Sequence, residues 1–266
     1  RTRGGRFSLN MIFGMTATNF GIYVRFGLRI IVKCLNKHKD AMIKIPDDAK
    51  LQDLASRVKA QYPALDDVWC TMDGLKSPIQ AAPDTEIQKM FYNSWQSGHY
   101  VTHVFVFAAD GTIPICCFNL PGSTHDSTAA DSGFIYDKLE KVYQQTGLKC
   151  TVNSAFRCKN TPYLIKSQQD DLYAQGHGLV VEDALMIAKK QQAATSMRQA
   201  AEWGMRAFQS MFPRLKDTII YEENNERKIM LKAMILLFNF HTNVVGINQI
   251  LTFFKPRLER NPFDWS

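Results

Sequence analysis

The sequence predicts an α/β fold in which a sheet is flanked by helices, with a helical segment ahead of it. Three observations carry that expectation. Three short apolar, β-leaning runs follow one another at 68–72, 100–108 and 113–118, each bounded by turn residues. A helical pattern and a fourth apolar run come next, at 134–147 and 149–153. Long stretches of helical periodicity stand on either side of this block, at 18–35, 191–212 and 228–240.

The first segment, 1–62, reads as helical and basic. Phe20, Ile22, Tyr23, Phe26, Ile30, Ile31 and Cys34 fall at helical spacing. Arg25, Arg29 and Lys33 recur every four residues and form one positive stripe. Such a stripe suits contact with phosphates and equally suits the solvated face of a packing helix. Pro46 breaks the chain, and a second helix opens at Asp48 or Lys50 and runs through Leu51, Leu54, Ala55 and Val58. A new unit begins at Tyr62-Pro63, which divides the chain into 1–62 and 63–266.

The run 68–72 reads as a strand that ends at Asp73-Gly74. A carboxylate at the end of a central strand points out where a metal can reach it; taken alone, Asp-Gly is also an ordinary turn. Residues 88–97 are aromatic and polar, and 100–108 reads as a strand buried on both faces. Asp110-Gly111 is a hairpin turn signal that joins it to 113–118. Leu120-Pro121-Gly122 ends that third strand. Phe134, Ile135, Leu139, Val142 and Tyr143 share one helical face, with Ser132 as its N-cap and Gly147 as its C-cap. His99 and His103 have a helical metal spacing, but on a strand they read as ordinary sheet histidines.

The connection 157–190 reads as irregular, with Arg157, Lys159 and Lys166 adding positive charge and Asp170-Asp171 in a solvated loop. A helix is expected over 181–192 and another over 191–212, where Pro213 stops it. Glu202 stands four residues from both Arg198 and Arg206, so two surface ion pairs are its simplest role. The 228–240 helix is apolar on most sides and should pack on the sheet, and the tail from 255 should be loosely ordered.

Hydrophobic residues make up 45% of the 266, enough for a sizeable core. The formal charge of +7 fits a polyanionic partner, nucleic acid before membrane, and equally a merely basic protein. No apolar run approaches the length of a membrane span. Six cysteines without a CxxC pair suit a reducing, intracellular compartment. The sequence opens at Arg1 rather than Met, as a fragment or a processed form would.

Five stretches then carry a resemblance. Pro121-Gly122-Ser123-Thr124-His125-Asp126-Ser127, Ile135-Tyr136-Asp137-Lys138-Leu139-Glu140 and Val152-Asn153-Ser154-Ala155-Phe156 lie between Met72-Asp73-Gly74-Leu75-Lys76 and Arg198-Gln199-Ala200-Ala201-Glu202-Trp203-Gly204-Met205-Arg206. In type and order they resemble the PIF/Harbinger-type DDE transposases, of the DDE superfamily endonucleases. The resemblance implies a ribonuclease-H-like mixed sheet preceded by a helix-turn-helix-like segment. It implies cutting and joining of DNA by three acids that hold two divalent ions, Mg²⁺ or Mn²⁺. Asp73 matches the first acid and Glu202 the last. His125 and Asp126 are accessory candidates, and Arg25, Arg29 and Lys33 are candidates for DNA contact. The expected partners are DNA, a separate DNA-binding protein and a second copy of the chain, in the nucleus and not at a membrane.

The middle acid falls on Asn153, where the family has Asp. Asn offers one carbonyl oxygen and no charge. Two Mg²⁺ ions about 4 Å apart repel by roughly 17 kcal/mol at an effective dielectric of ~20. Two carboxylates offset that repulsion less than three. The expectation is weak or absent two-metal binding and little or no cleavage. Two readings stay open: a DDE nuclease by descent, or a catalytically silent DNA-binding or protein-interaction module. An α/β hydrolase is disfavoured, because there is no GxSxG elbow and no glycine-rich phosphate loop.

Overall fold

The computed structural model of the protein describes residues 11–156, 161–166, 181–219 and 224–255. The tail beyond 255 and the residues Arg157, Lys159, Asp170 and Asp171 lie outside them. Helix α1 spans Ala17–Leu35 and α2 spans Asp48–Gln61. Strand β1 (Val68–Pro78), helix α3 (Thr85–Phe91), and strands β2 (Tyr92–Asn93), β3 (Gly98–Ala108) and β4 (Ile115–Pro121) follow. Then come α4 (Asp126–Ser132), α5 (Ile135–Thr146), β5 (Lys149–Val152) and β6 (Leu164–Lys166). The last helices are α6 (Val181–Met211), α7 (Asn224–Val245) and α8 (Gln249–Phe254).

β1 is the centre of the sheet. β3 pairs with it antiparallel from Cys70↔Ala108 to Pro78↔Tyr100, and β4 pairs antiparallel with the far side of β3. On the other side β5 pairs parallel with β1, and β6 parallel with β5. The short β2 continues the line of β4 by pairing with the first residues of β3. The result is a curled mixed sheet flanked by helices, of ribonuclease-H-like form. Parallel β5 requires a crossover from β4, and α4 and α5 supply it.

One core joins these layers. The apolar face of α2 (Leu51, Leu54, Ala55, Val58) is buried in the same cluster as Trp69, Met72 and Phe107 of the sheet. Phe208 of α6 stands edge-on to Phe105 of β3 at 5.3 Å and to Phe238 of α7 at 5.4 Å, so one aromatic chain ties sheet to both long helices. Helix α1 buries no residue fully and packs against α7, where Arg29 is ion-paired with Glu226. No helix among the described residues is long and apolar enough to cross a membrane. Cys34, Cys70, Cys116, Cys117 and Cys150 are free thiols.

Four boundaries differ from expectation. β1 does not stop at Asp73-Gly74, because β3 continues to pair with it to Pro78. The third strand starts at Ile115 rather than at 113, since the Asn239 side chain takes both backbone groups of Ile113, at 2.8 and 3.0 Å. Ser132 does not cap the 135–146 helix; it ends the separate short helix α4. Phe134, left-handed at φ 52, precedes α5, while Gly147 does close it, at φ 75. The helices expected at 181–192 and 191–212 are one continuous helix of 31 residues.

Candidate active site

The parallel register sets the first two side chains. β5 ends at Val152, opposite Met72, so the next residue on each strand is Asp73 or Asn153. Adjacent parallel strands hold their next residues side by side, and the two side chains meet: Asn153 Nδ2 donates to Asp73 Oδ1 at 2.9 Å. Asp73 Oδ1 also accepts from the Gly74 N–H at 2.8 Å. Asn153 Oδ1 is engaged in its own turn, accepting from the Ala155 N–H at 2.9 Å. Both polar ends of the amide are thus satisfied within the protein.

Glu202 comes from α6, which crosses β1, β3 and β5. The helix can lie this close because residue 204 is glycine: a Cβ there would stand 2.6 Å from the Phe107 ring. Glu202 is 47% exposed and accepts from Arg198 Nη2 at 3.1 Å, one of the two expected i,i+4 pairs. Burial pushes the Asp73 carboxyl up to about 6. The Gly74 N–H and the Arg198 charge draw it down, and the charges of Asp126 and Glu202 raise it further. Asp126, Arg198 and Glu202 all therefore lie within electrostatic reach of Asp73.

Asp126 opens α4, and its carboxylate lies over Gly74, where a Cβ would stand 2.6 Å from Oδ2. Lys76 Nζ is 3.8 Å from Asp126 Oδ1, which has no hydrogen-bond partner. Gly74 thus serves close approach within a strand rather than a turn. A glycine inside a strand pattern was the available signal, masked by its Asp-Gly context. His125 is the N-cap of α4, its Nδ1 accepting from Ser127 N at 3.4 Å. His103 is fully buried and its Nδ1 accepts from Asn119 N at 3.1 Å. Burial, with the nearby Arg227 charge, pushes His103 down to about 3, so it is a neutral sheet histidine. Arg25, Arg29 and Lys33 lie on α1, and Arg29 makes the Glu226 ion pair already described.

The sequence model of the DDE superfamily endonucleases matches residues 72–239, more than half of the chain and the whole stretch that builds this site. The chain belongs to the DDE superfamily endonucleases. No curated protein and no solved structure matches it. DDE superfamily endonucleases generally use divalent metal ions, and a transposase-like nuclease domain implies DNA as substrate.

The residues present fit a two-ion DDE centre poorly. Asn153 turns an N–H, not an oxygen, towards Asp73. Asp73 Oδ1 already accepts two hydrogen bonds, and Glu202 is held by Arg198. Among the described residues, no three His, Cys, Asp or Glu side chains gather closely enough to hold an ion. The amide at 153 bonds to the one carboxylate that a second carboxylate there would repel.

Proposed function

We propose that this DDE domain is of the PIF/Harbinger type, derived from a transposase, that it binds DNA, and that its two-metal cleavage is lost or nearly so. The observation that carries the reading is the hydrogen bond from Asn153 to Asp73. It replaces charge repulsion, which bound cations relieve in a three-acid site, by an internal contact that needs no ion. DNA binding is supported by the family and by the formal charge of +7. In this reading Asp73, Asn153 and Glu202 occupy the positions of the catalytic set, and Asp126 with Lys76 sits beside them.

The test is a Mn²⁺ titration by calorimetry, paired with nicking of supercoiled plasmid. The protein as it stands should show no tight Mn²⁺ site and no nicking above background. Asn153→Asp should gain Mn²⁺ binding and measurable nicking. Robust Mg²⁺- or Mn²⁺-dependent cutting by the unaltered chain would sink the loss of catalysis.

A further inference from the structure

The connection between β1 and β3 carries a feature that neither the core nor the acids use. Trp95 is 93% exposed, more than any other large apolar side chain among the described residues. It stands on the tip 94–97 of the hairpin that joins β2 to β3. This tip is braced. Asn93 Oδ1 accepts from the Gln96 N–H at 3.1 Å, and Asn93 Nδ2 donates to the Gly122 carbonyl at 2.8 Å. Ser97 takes the left-handed turn position, at φ 49.

The base of the hairpin is clamped by the Pro121-Gly122-Ser123 stretch. Ser123 donates twice to the Met90 carbonyl at the end of α3, from N at 3.1 Å and from Oγ at 2.8 Å. A Cβ on Gly122 would stand 2.2 Å from the Tyr100 carbonyl oxygen and 2.5 Å from that of Phe91. The segment that presents Asp126 to Gly74 therefore also grips the hairpin that presents Trp95. β1 and β3 stay paired from Asp73 to Pro78. Five residues at ~3.3 Å each put the base of the hairpin ~17 Å beyond the acid. It leaves by the end of the sheet towards which β1 and β5 both run, the end where Asp73 and Asn153 meet.

We propose that the 92–99 hairpin is a nucleobase-stacking finger, with Trp95 receiving an unpaired or unstacked base of DNA that lies along the acid site. The inference rests on the DNA-binding part of the reading above. The tip, Ser94-Trp95-Gln96-Ser97, carries no charge, so it suits the face of a base and not a phosphate. Stacking on an indole is tolerant of sequence because every base has a π-face. A protein partner would call for a broad apolar patch. At the tip one indole stands between short or polar side chains; Ile87 (38%), Met90 (50%) and Tyr92 (44%) are exposed as well, on the preceding α3 and β2 and less so than Trp95. Because the hairpin is held before binding, little ordering cost opposes the stack.

The experiment uses the full chain in chelator, with labelled DNA followed by fluorescence anisotropy. A blunt duplex is compared with the same duplex bearing a single-stranded 3′ extension. Trp95→Ala should weaken binding of the extended duplex by about tenfold and leave the blunt duplex unchanged. Trp95→Phe should retain most of the affinity. Equal binding of both DNAs by the unaltered chain and by Trp95→Ala overturns the finger alone. So does a loss of self-association in Trp95→Ala with DNA affinity intact, which would make the tip a protein contact. Failure of the unaltered chain to bind either DNA overturns the DNA-binding reading and the finger with it.

Discussion

The strand-borne half of the acid site and its helix-borne half are built by different forces. Asp73 and Asn153 are neighbours because the β1–β5 ladder admits one register, and the next side chains fall side by side. Both are partly buried; the Asn153 amide is engaged at both ends, and Asp73 Oδ1 accepts two hydrogen bonds. Glu202 is set by packing: α6 lies against β3 through Gly204 and Phe107, and its carboxylate is half in solvent on an arginine of its own helix. Backbone ladders place side chains finely and leave them little freedom. Packed helix faces place them coarsely, with solvent to absorb charge. A change that adds or removes charge should therefore matter at the strands and barely register at the helix.

The largest expected effect is the pH dependence of the strand half. The Asp73 carboxyl is raised from its ordinary value to about 6, chiefly by burial. A raised acid binds its proton more tightly when folded, so its stability contribution is full below pH about 4 and is lost as pH rises through about 6. Two units correspond to about 3 kcal/mol at most. Asp73→Asn, unfolded in urea without metal, should match the parent at pH 4 and exceed it by up to that amount above pH 7. Equal stability at both pH values would mean that the carboxylate is solvated, and the contrast with Glu202 would vanish.

A smaller effect belongs to the seat of the helix. Gly204→Ala must displace a fully buried ring, which should cost about 2 kcal/mol in denaturant unfolding. Gly204→Ala combined with Phe107→Leu should recover part of it. If the alanine is neutral, α6 is not held at this depth by Phe107. The smallest effect is at the acid itself. Glu202→Gln should change stability by no more than about 0.5 kcal/mol, since it loses one exposed i,i+4 pair. A loss several times larger would show that Glu202 is bound as firmly as Asp73.

Much of this was legible in the residues. Alternation and turn signals marked the strands at 68–72 and 100–108, and Leu51, Leu54, Ala55 and Val58 marked the buried face of α2. Gly147 was a readable stop because a left-handed C-cap favours glycine. The ends of β1 and β4 were not readable. Whether Gly74 turns the chain or lies flat depends on β3, which is distant along it, and Ile113 leaves the ladder because Asn239, 126 residues away, competes for its backbone. The α4–α5 break was hidden for a similar reason, since Phe134 has no intrinsic preference for the left-handed region it occupies.

By itself the sequence determined the kinds of element, most of their order, the family-like motifs, and the replacement of an acid by an amide at 153, because these depend on periodicity and residue chemistry that act locally. Only the tertiary structure decided what that amide does. The direction of its N–H towards Asp73, the Asp126 carboxylate over Gly74, and the grip of Gly122 and Ser123 on the Trp95 hairpin join residues far apart in the chain. Hydrogen-bond direction and steric fit at these distances are set by the packing of the whole sheet, which no local pattern encodes.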